Sequence, residues 1–197
     1  MLPANRRLIL ASSSPYRREL LGRLGLPFEC YSPDIDESAQ ANESAEALVQ
    51  RLALQKAQAV AAKHNDALII GSDQVAVLAD GSIVGKPGSV ENAVAQLMRV
   101  SGSAVTFLTG LCLLDATTGH SQVCCEPYQV WFRELNDAMV RRYVEKEMPL
   151  NCAGSFKSEG LGICLFERFA GDDPNSLVGL PLIRLVSMLT AVGVVLP

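Results

Sequence analysis

Apolar positions along the chain fall into two patterns. Leu8-Ile9-Leu10, "ALIIGSDQVAVL" (67–78), "AVTFLTGLCLLD" (104–115) and "SQVCCEPYQVWFREL" (121–135) are dense runs bounded by turn-forming residues, which predicts strands. Between them apolar residues recur every three or four positions, which predicts helices. The first helix opens at Pro15, with Ser14 as N-cap and Leu20, Leu21 and Leu24 as its stripe. Further helices are predicted over 43–64, over 89–102 behind Ser89, over 136–147 behind Asn136, and from about 181 to 192. Gly71 is expected to break the 67–78 strand, "DGSIVGKPG" to form a turn and loop, and "PFECYSPDIDES" (27–38) to run extended. Strands alternate with helices, and Gly119 separates two strands of hairpin character. The expectation is one α/β unit over 1–197, two lobes sharing a mixed sheet, without repeats or a low-complexity linker.

Several charges contradict this pattern. The first turn of the first helix carries Arg17 and Arg18, although free N–H groups already make a helix N-terminus positive. At about 100° per residue Arg17 falls near the centre of the leucine stripe. It either snorkels to solvent or helps hold an anion at the strand-to-helix turn, together with serine hydroxyls and free N–H groups. Lys56 projects from the apolar face marked by Leu48, Val49, Leu52, Ala53 and Val60. It reaches past small alanines to water, or it enters a pocket with a counter-charge. Asp73 stands inside "LIIGSDQVAVL", where an aspartate caps a bulge, pairs, binds metal or catalyses. Asp34, Asp36 and Glu37 form a second acidic group, and Lys86 sits in the "GKPG" loop.

Composition narrows the chemistry. The 197 residues are 49% hydrophobic and 19% charged, enough for a folded core. A net charge of −4 disfavours a broad nucleic-acid surface but leaves room for a local phosphate pocket. No 18-residue apolar run or signal-peptide core occurs, so no membrane partner and a cytoplasmic location are expected. The six cysteines show no CxxC spacing and are expected to be buried and reduced. With only His64 and His120, a bound metal is expected to be oxygen-ligated, Mg²⁺ or Mn²⁺. Neither GxGxxG nor GxxxxGK[ST] is present. An arginine, two lysines and several carboxylates remain. These are the groups that polyphosphate cleavage requires, the cations to neutralise phosphate and a carboxylate to activate water.

"LILASSSPYRREL", "DIDES", "RLALQKA", "IIGSDQV", "GKP", "CAGSFKSEGLG" and "DPNSLVGLP" follow one another in an order that resembles the Maf family of nucleoside triphosphate pyrophosphatases, over nearly the whole chain. The resemblance implies a two-lobed α/β fold related to the inosine-triphosphate pyrophosphatases, with a long twisted mixed sheet and a central cleft. It implies hydrolysis of a nucleoside triphosphate to monophosphate and diphosphate with a divalent cation, commonly by a homodimer. Ser12 and Arg17 resemble the family's phosphate-binding positions in S-x-S-P-x-R, and Lys56 and Lys86 its two phosphate-contacting lysines. Asp73 matches the proton acceptor of the G-S-D motif. Glu37, closing D-x-D-E, is the implied metal-holding partner of Asp73.

Tyr16 and Gln74 depart from the S-P-R-R and S-D-T patterns of the pyrimidine-triphosphate branch, and together with Glu159 in "SFKSEGLG" they resemble the branch that hydrolyses 7-methyl-GTP. N7-methylation makes guanine cationic, which favours an aromatic face, and a carboxylate accepts from guanine N1–H and its amino group. The branch often carries a tryptophan where this chain has Tyr16, and tyrosine stacks less strongly. A dTTP or UTP pyrophosphatase of the same family, and a nucleotide-binding regulator of cell division, are the alternatives.

Overall fold

The computed structural model describes residue 2 and residues 6–196. The predicted caps form, and one that was not predicted joins them. Ser14 Oγ accepts from Arg17 N at the start of α1 (Pro15–Gly22), and the unpredicted Ser44 Oγ accepts from Ala47 N at the start of α2 (Ala45–Ala61). Ser89 and Asn136 do the same for α3 (Val90–Arg99) and α4 (Asp137–Glu147). The final helix, α6 (Leu182–Ala191), follows the short α5 (Pro174–Val178).

Among the described residues seven strands form one mixed sheet: β1 (Arg7–Ala11), β2 (Glu29–Cys30), β3 (Ala67–Val77), β4 (Ile83–Val84), β5 (Ala104–Asp115), β6 (Ser121–Phe132) and β7 (Phe166–Ala170). Their order is β2-β1-β3-β5-β6-β7, with β4 paired to β3. β2 and β3 are both parallel to β1 and flank it on either side, so the chain changes direction across the sheet at β1. The β5–β6 hairpin is closed by Asp115 N–H on His120 O and by Phe132 N–H on Ser103 O, each 2.9 Å.

The chain divides into two compact units. One comprises the chain up to Asp73, Thr109–Glu126 and the chain from Asn175; the other comprises Gln74–Leu108 and Pro127–Pro174. In the first unit, strand alternation makes two apolar layers. Leu8, Leu10, Leu68 and Ile70 pack with Leu20 and Leu21 of α1 and with Leu182, Leu185 and Leu189 of α6. Ile9, Ala11, Ala67 and Ile69 pack with Ala53, Ala57 and Val60 of α2. In the second unit, Phe107, Phe132, Phe156 and Phe166 meet edge to face.

Gly71 does not interrupt β3. The register from Arg7↔Ala67 to Ala11↔Gly71 is unbroken, and the glycine instead lets α2 approach. A Cβ on Gly71 would lie 2.0 Å from Ala53 O, and one on Gly110 of β5 would lie 2.0 Å from Val49 O. Two other expectations also change. Ile83 and Val84 of the predicted loop pair with β3. None of the six cysteines is in a disulfide, but only Cys112 is buried. Cys30 ends the exposed edge strand β2, and Cys164 lies in a turn of 3₁₀-helix (Leu161–Leu165), so both face solvent.

The glycine contacts predict opposite outcomes for two alanine substitutions. Gly71→Ala forces backbone against backbone and is expected to cost about 3 kcal/mol or more. Gly22→Ala, at an exposed helical position with open space around it, is expected to add about 0.5–1 kcal/mol. Thermal unfolding of the two variants checks both signs.

Candidate active site

In open α/β sheets ligand sites form beyond the C-terminal ends of parallel strands, where the strand order reverses. Here that place is the end of β1 and the adjoining part of β3. Ala11 pairs with Gly71, so Ser12, Ser72 and Asp73 lie just past the last pair between β1 and β3. The buried Ser12 Oγ accepts from Ser14 N at 3.1 Å, which shapes the turn into α1.

Gly71 and Asp73 share one face of β3 and meet α2. Ala53 stands over Gly71; one helical turn further, Lys56 stands over Asp73. Lys56 is 6% exposed and Asp73 8%, and Lys56 Nζ lies 2.6 Å from Asp73 Oδ1. Glu37 Oε1 is 2.7 Å from the same ammonium, and the Glu37 side chain is 57% exposed. The counter-charge reading of Lys56 therefore holds, and Asp73 is paired rather than capping a bulge.

The segment carrying Glu37 is tied to α2. Arg51 donates through Nε and Nη2 to the two Glu43 oxygens at 2.6 and 2.7 Å, and through Nη2 to Ser38 O at 3.0 Å. Glu43 also accepts from Gln40 N at 3.0 Å, and Asp36 accepts from Ser38 N at 2.9 Å. The fork on Arg51, then the Gln40 amide, hold the Glu43 carboxyl at about 2. Asp36 is lowered by its Ser38 bonds.

On the opposite face of the sheet Arg17 is half-buried and donates through Nε to Gly179 O at 2.8 Å. Loss of hydration lowers its pKa, while the charges of Asp73 and Glu37 act to raise it. The structure thus brings Arg17, Glu37, Lys56 and Asp73 into one electrostatic neighbourhood within the first unit. Tyr16, half-buried on α1, belongs to that unit.

Gln74, Lys86 and Glu159 belong to the second unit. Lys86 is exposed two residues beyond β4, and Gln74 is half-buried on β3. Glu159 is exposed and accepts from Ser158 Oγ at 3.3 Å. Its segment is held from α4. Lys157 N donates to Tyr143 OH at 3.0 Å, Lys157 Nζ to Glu147 O at 2.7 Å, and Leu161 N to Glu147 Oε2 at 2.6 Å. Glu147 has the wrong sign for the last turn of a helix. Its carboxylate is there to cap the Leu161 amide.

Among the described residues no three His, Cys, Asp or Glu side chains gather as a metal cage. Asp73 and Glu37 are two oxygen donors on a common centre. That suits Mg²⁺, which is usually bound by one or two carboxylates with water and substrate phosphates completing its shell. Ser72, Gly179, Arg51 and Glu43 were missed in the sequence. A serine in an apolar strand and a glycine in "DPNSLVGLP" were the available signals for the first two.

Residues 7–192 match the family model described as Maf-like protein. The chain belongs to the Maf family. It is 62% identical to the 7-methyl-GTP pyrophosphatase of Pseudomonas aeruginosa, over 96% of this chain and 98% of that protein. It is 60% identical to the protein of the same name from Alcanivorax borkumensis, over 96% of each, and 55% to that of Pseudoalteromonas translucida, over 94% and 92%. Among solved structures, that of the Staphylococcus aureus Ham1 protein aligns with a TM-score of 0.48 at 13% identity, covering 79% of this chain and 89% of that one. No helix among the described residues is long and apolar enough to cross a membrane.

The Glu43 clamp predicts how this Maf protein responds to acid. A carboxyl lowered in the folded state stabilises above its unfolded value, here 4.5, and loses that contribution as pH falls toward about 2. Glu43→Gln should therefore lower the unfolding temperature at pH 7, and the gap from wild type should close between pH 4.5 and 2. A gap that stays constant across that range would disprove the clamp.

Proposed function

We propose that this Maf protein hydrolyses 7-methyl-GTP to 7-methyl-GMP and diphosphate, removing a modified nucleotide from the pool. The observation that carries the reading is the buried Lys56 between Asp73 and Glu37 at the end of the parallel strands, in a chain 62% identical to a protein named for that activity.

The chemistry follows from the charges. Asp73 Oδ1 is committed to Lys56, and Oδ2 is the atom we assign to receive a proton from the attacking water. The water oxygen bonds to the α-phosphorus, the bond to the bridging oxygen breaks, and diphosphate leaves with that electron pair. Lys56 holds Asp73 in place and, with Arg17 and Lys86, offsets the phosphate charge, while the Ser12 hydroxyl donates a hydrogen bond to a phosphate oxygen. When bound, a divalent cation on Asp73 and Glu37, Mg²⁺ or Mn²⁺, would neutralise phosphate charge and increase the electrophilicity of the phosphorus. Tyr16, Gln74 and Glu159 are assigned to the base, Glu159 as acceptor for guanine N1–H and the amino group.

Two measurements test this. Diphosphate release from 7-methyl-GTP, GTP, UTP and dTTP, with Mg²⁺ or Mn²⁺, should favour 7-methyl-GTP. Asp73→Asn, which keeps the side-chain shape, should reduce kcat by about a hundredfold or more. A preference for UTP or dTTP would keep the site and reject the base assignment. Glu159→Gln should lower kcat/KM for 7-methyl-GTP about tenfold and leave the slower UTP reaction nearly unchanged, the contrast expected of a base-reading group.

A further inference from the structure

The carbonyl oxygen of Gly179 accepts two hydrogen bonds from two different elements. Arg17 Nε reaches it from α1 at 2.8 Å, and Ser72 Oγ reaches it from β3 at 2.9 Å. We propose that Ser72 and the Gly179 carbonyl are positioning residues, which together orient the Arg17 guanidinium for the triphosphate. The inference rests on reading the site as one that cleaves a phosphate anhydride.

Three features make this arrangement more than a satisfied hydroxyl. A carbonyl has two lone pairs, so the two donors fill it and fix its direction. Ser72 is completely buried, at a position where packing alone would favour an apolar residue, and its hydroxyl takes the acceptor that the arginine uses. The bond to Nε fixes the plane of the guanidinium, and the two Nη groups form the edge that reads a phosphate.

Gly179 is suited to presenting that carbonyl. Its φ is +118°, a conformation closed to ordinary side chains, and a Cβ there would sit 3.3 Å from Arg17 Nε. The turn is braced from several sides. Gly179 N–H donates to the Asn175 and Ser176 carbonyls at 3.1 and 3.0 Å. Thr109 Oγ1 donates to Ser176 O at 2.9 Å, and Arg23 Nη1 to Asn175 Oδ1 at 3.2 Å. The "DPNSLVGLP" stretch thus delivers one carbonyl oxygen to Ser72 of β3. Without the Ser72 hydroxyl, the Gly179 carbonyl keeps Arg17 as its single donor, and Arg17 loses its alignment while remaining in place.

A double-mutant cycle of Ser72→Ala, Arg17→Ala and the combined variant tests the coupling in the full chain. The readouts are kcat/KM for 7-methyl-GTP and the Kd for inorganic tripolyphosphate, with unfolding temperature as the folding control. Ser72→Ala should weaken both readouts about fivefold in the presence of Arg17 and leave them unchanged in the Arg17→Ala background. Ser72→Cys keeps a weaker donor in similar volume and should fall between wild type and Ser72→Ala. Equal losses in both backgrounds, or no loss with Arg17 present, would overturn the proposal. So would a wild-type protein that binds no tripolyphosphate. Coupling in the tripolyphosphate Kd without turnover of 7-methyl-GTP would instead reject the activity and retain the positioning role.

Discussion

An ammonium group that is nearly excluded from water must keep its counter-charges, and Lys56 imposes that constraint on the site. Breaking a buried ion pair by deleting one partner costs about 3–5 kcal/mol, because the remaining charge has neither water nor a mate. Lys56 therefore requires Asp73 at 2.6 Å and gains Glu37 at 2.7 Å from a segment that is otherwise exposed. The geometry depends on how low α2 sits. Gly71 and Gly110 let the carbonyls of Ala53 and Val49 rest against the strands, and one turn beyond Ala53 the lysine arrives over Asp73. A side chain at either glycine would raise the helix and separate the pair.

Strand alternation then divides the work between the faces of the sheet. Asp73 faces α2 and the ammonium, while its neighbour Ser72 faces the turn at Gly179 and, through that carbonyl, Arg17. Cations thus approach neighbouring residues of the same strand from opposite faces. Both Asp73 and Glu37 act on the Arg17 charge as well as on Lys56, so the neighbourhood is electrostatically coupled although its members hang from different elements. The reversal of strand order at β1 makes this possible, since it sends α1 and α2 to opposite faces.

Two charges of the wrong sign for their helix ends, Arg17 and Glu147, find a partner beyond the helix. Arg17, in a positive first turn, is anchored by a carbonyl 162 residues away in sequence. Glu147, in a negative last turn, accepts the Leu161 amide and anchors the segment that carries Glu159. A Cβ on Gly160 would lie 2.4 Å from that carboxylate, so the glycine beside Glu159 is the complement of Glu147. Local preference is overridden at positions that hold site-bearing segments in place.

Much of this was legible in the chain because it depends on short-range physics. Caps at Ser14, Ser89 and Asn136, the helical stripes and the strand runs are set by neighbours a few residues apart, and their elements appear where the pattern put them. The misplaced charges Arg17, Lys56 and Asp73 were also visible, since a charge on an apolar face announces an unseen partner. The partners themselves were not visible. Gly71 looks like a strand breaker until α2 is laid against it, and Ser72 looks incidental until Gly179 is folded back beside it. Cys30 and Cys164 look like core residues until the sheet edge and the 3₁₀ turn expose them. The sequence by itself determined which elements form and which charges require compensation. Only the tertiary structure decided which groups meet, because a close approach of two backbones, or a carbonyl shared by two donors, depends on chain segments that local pattern does not connect.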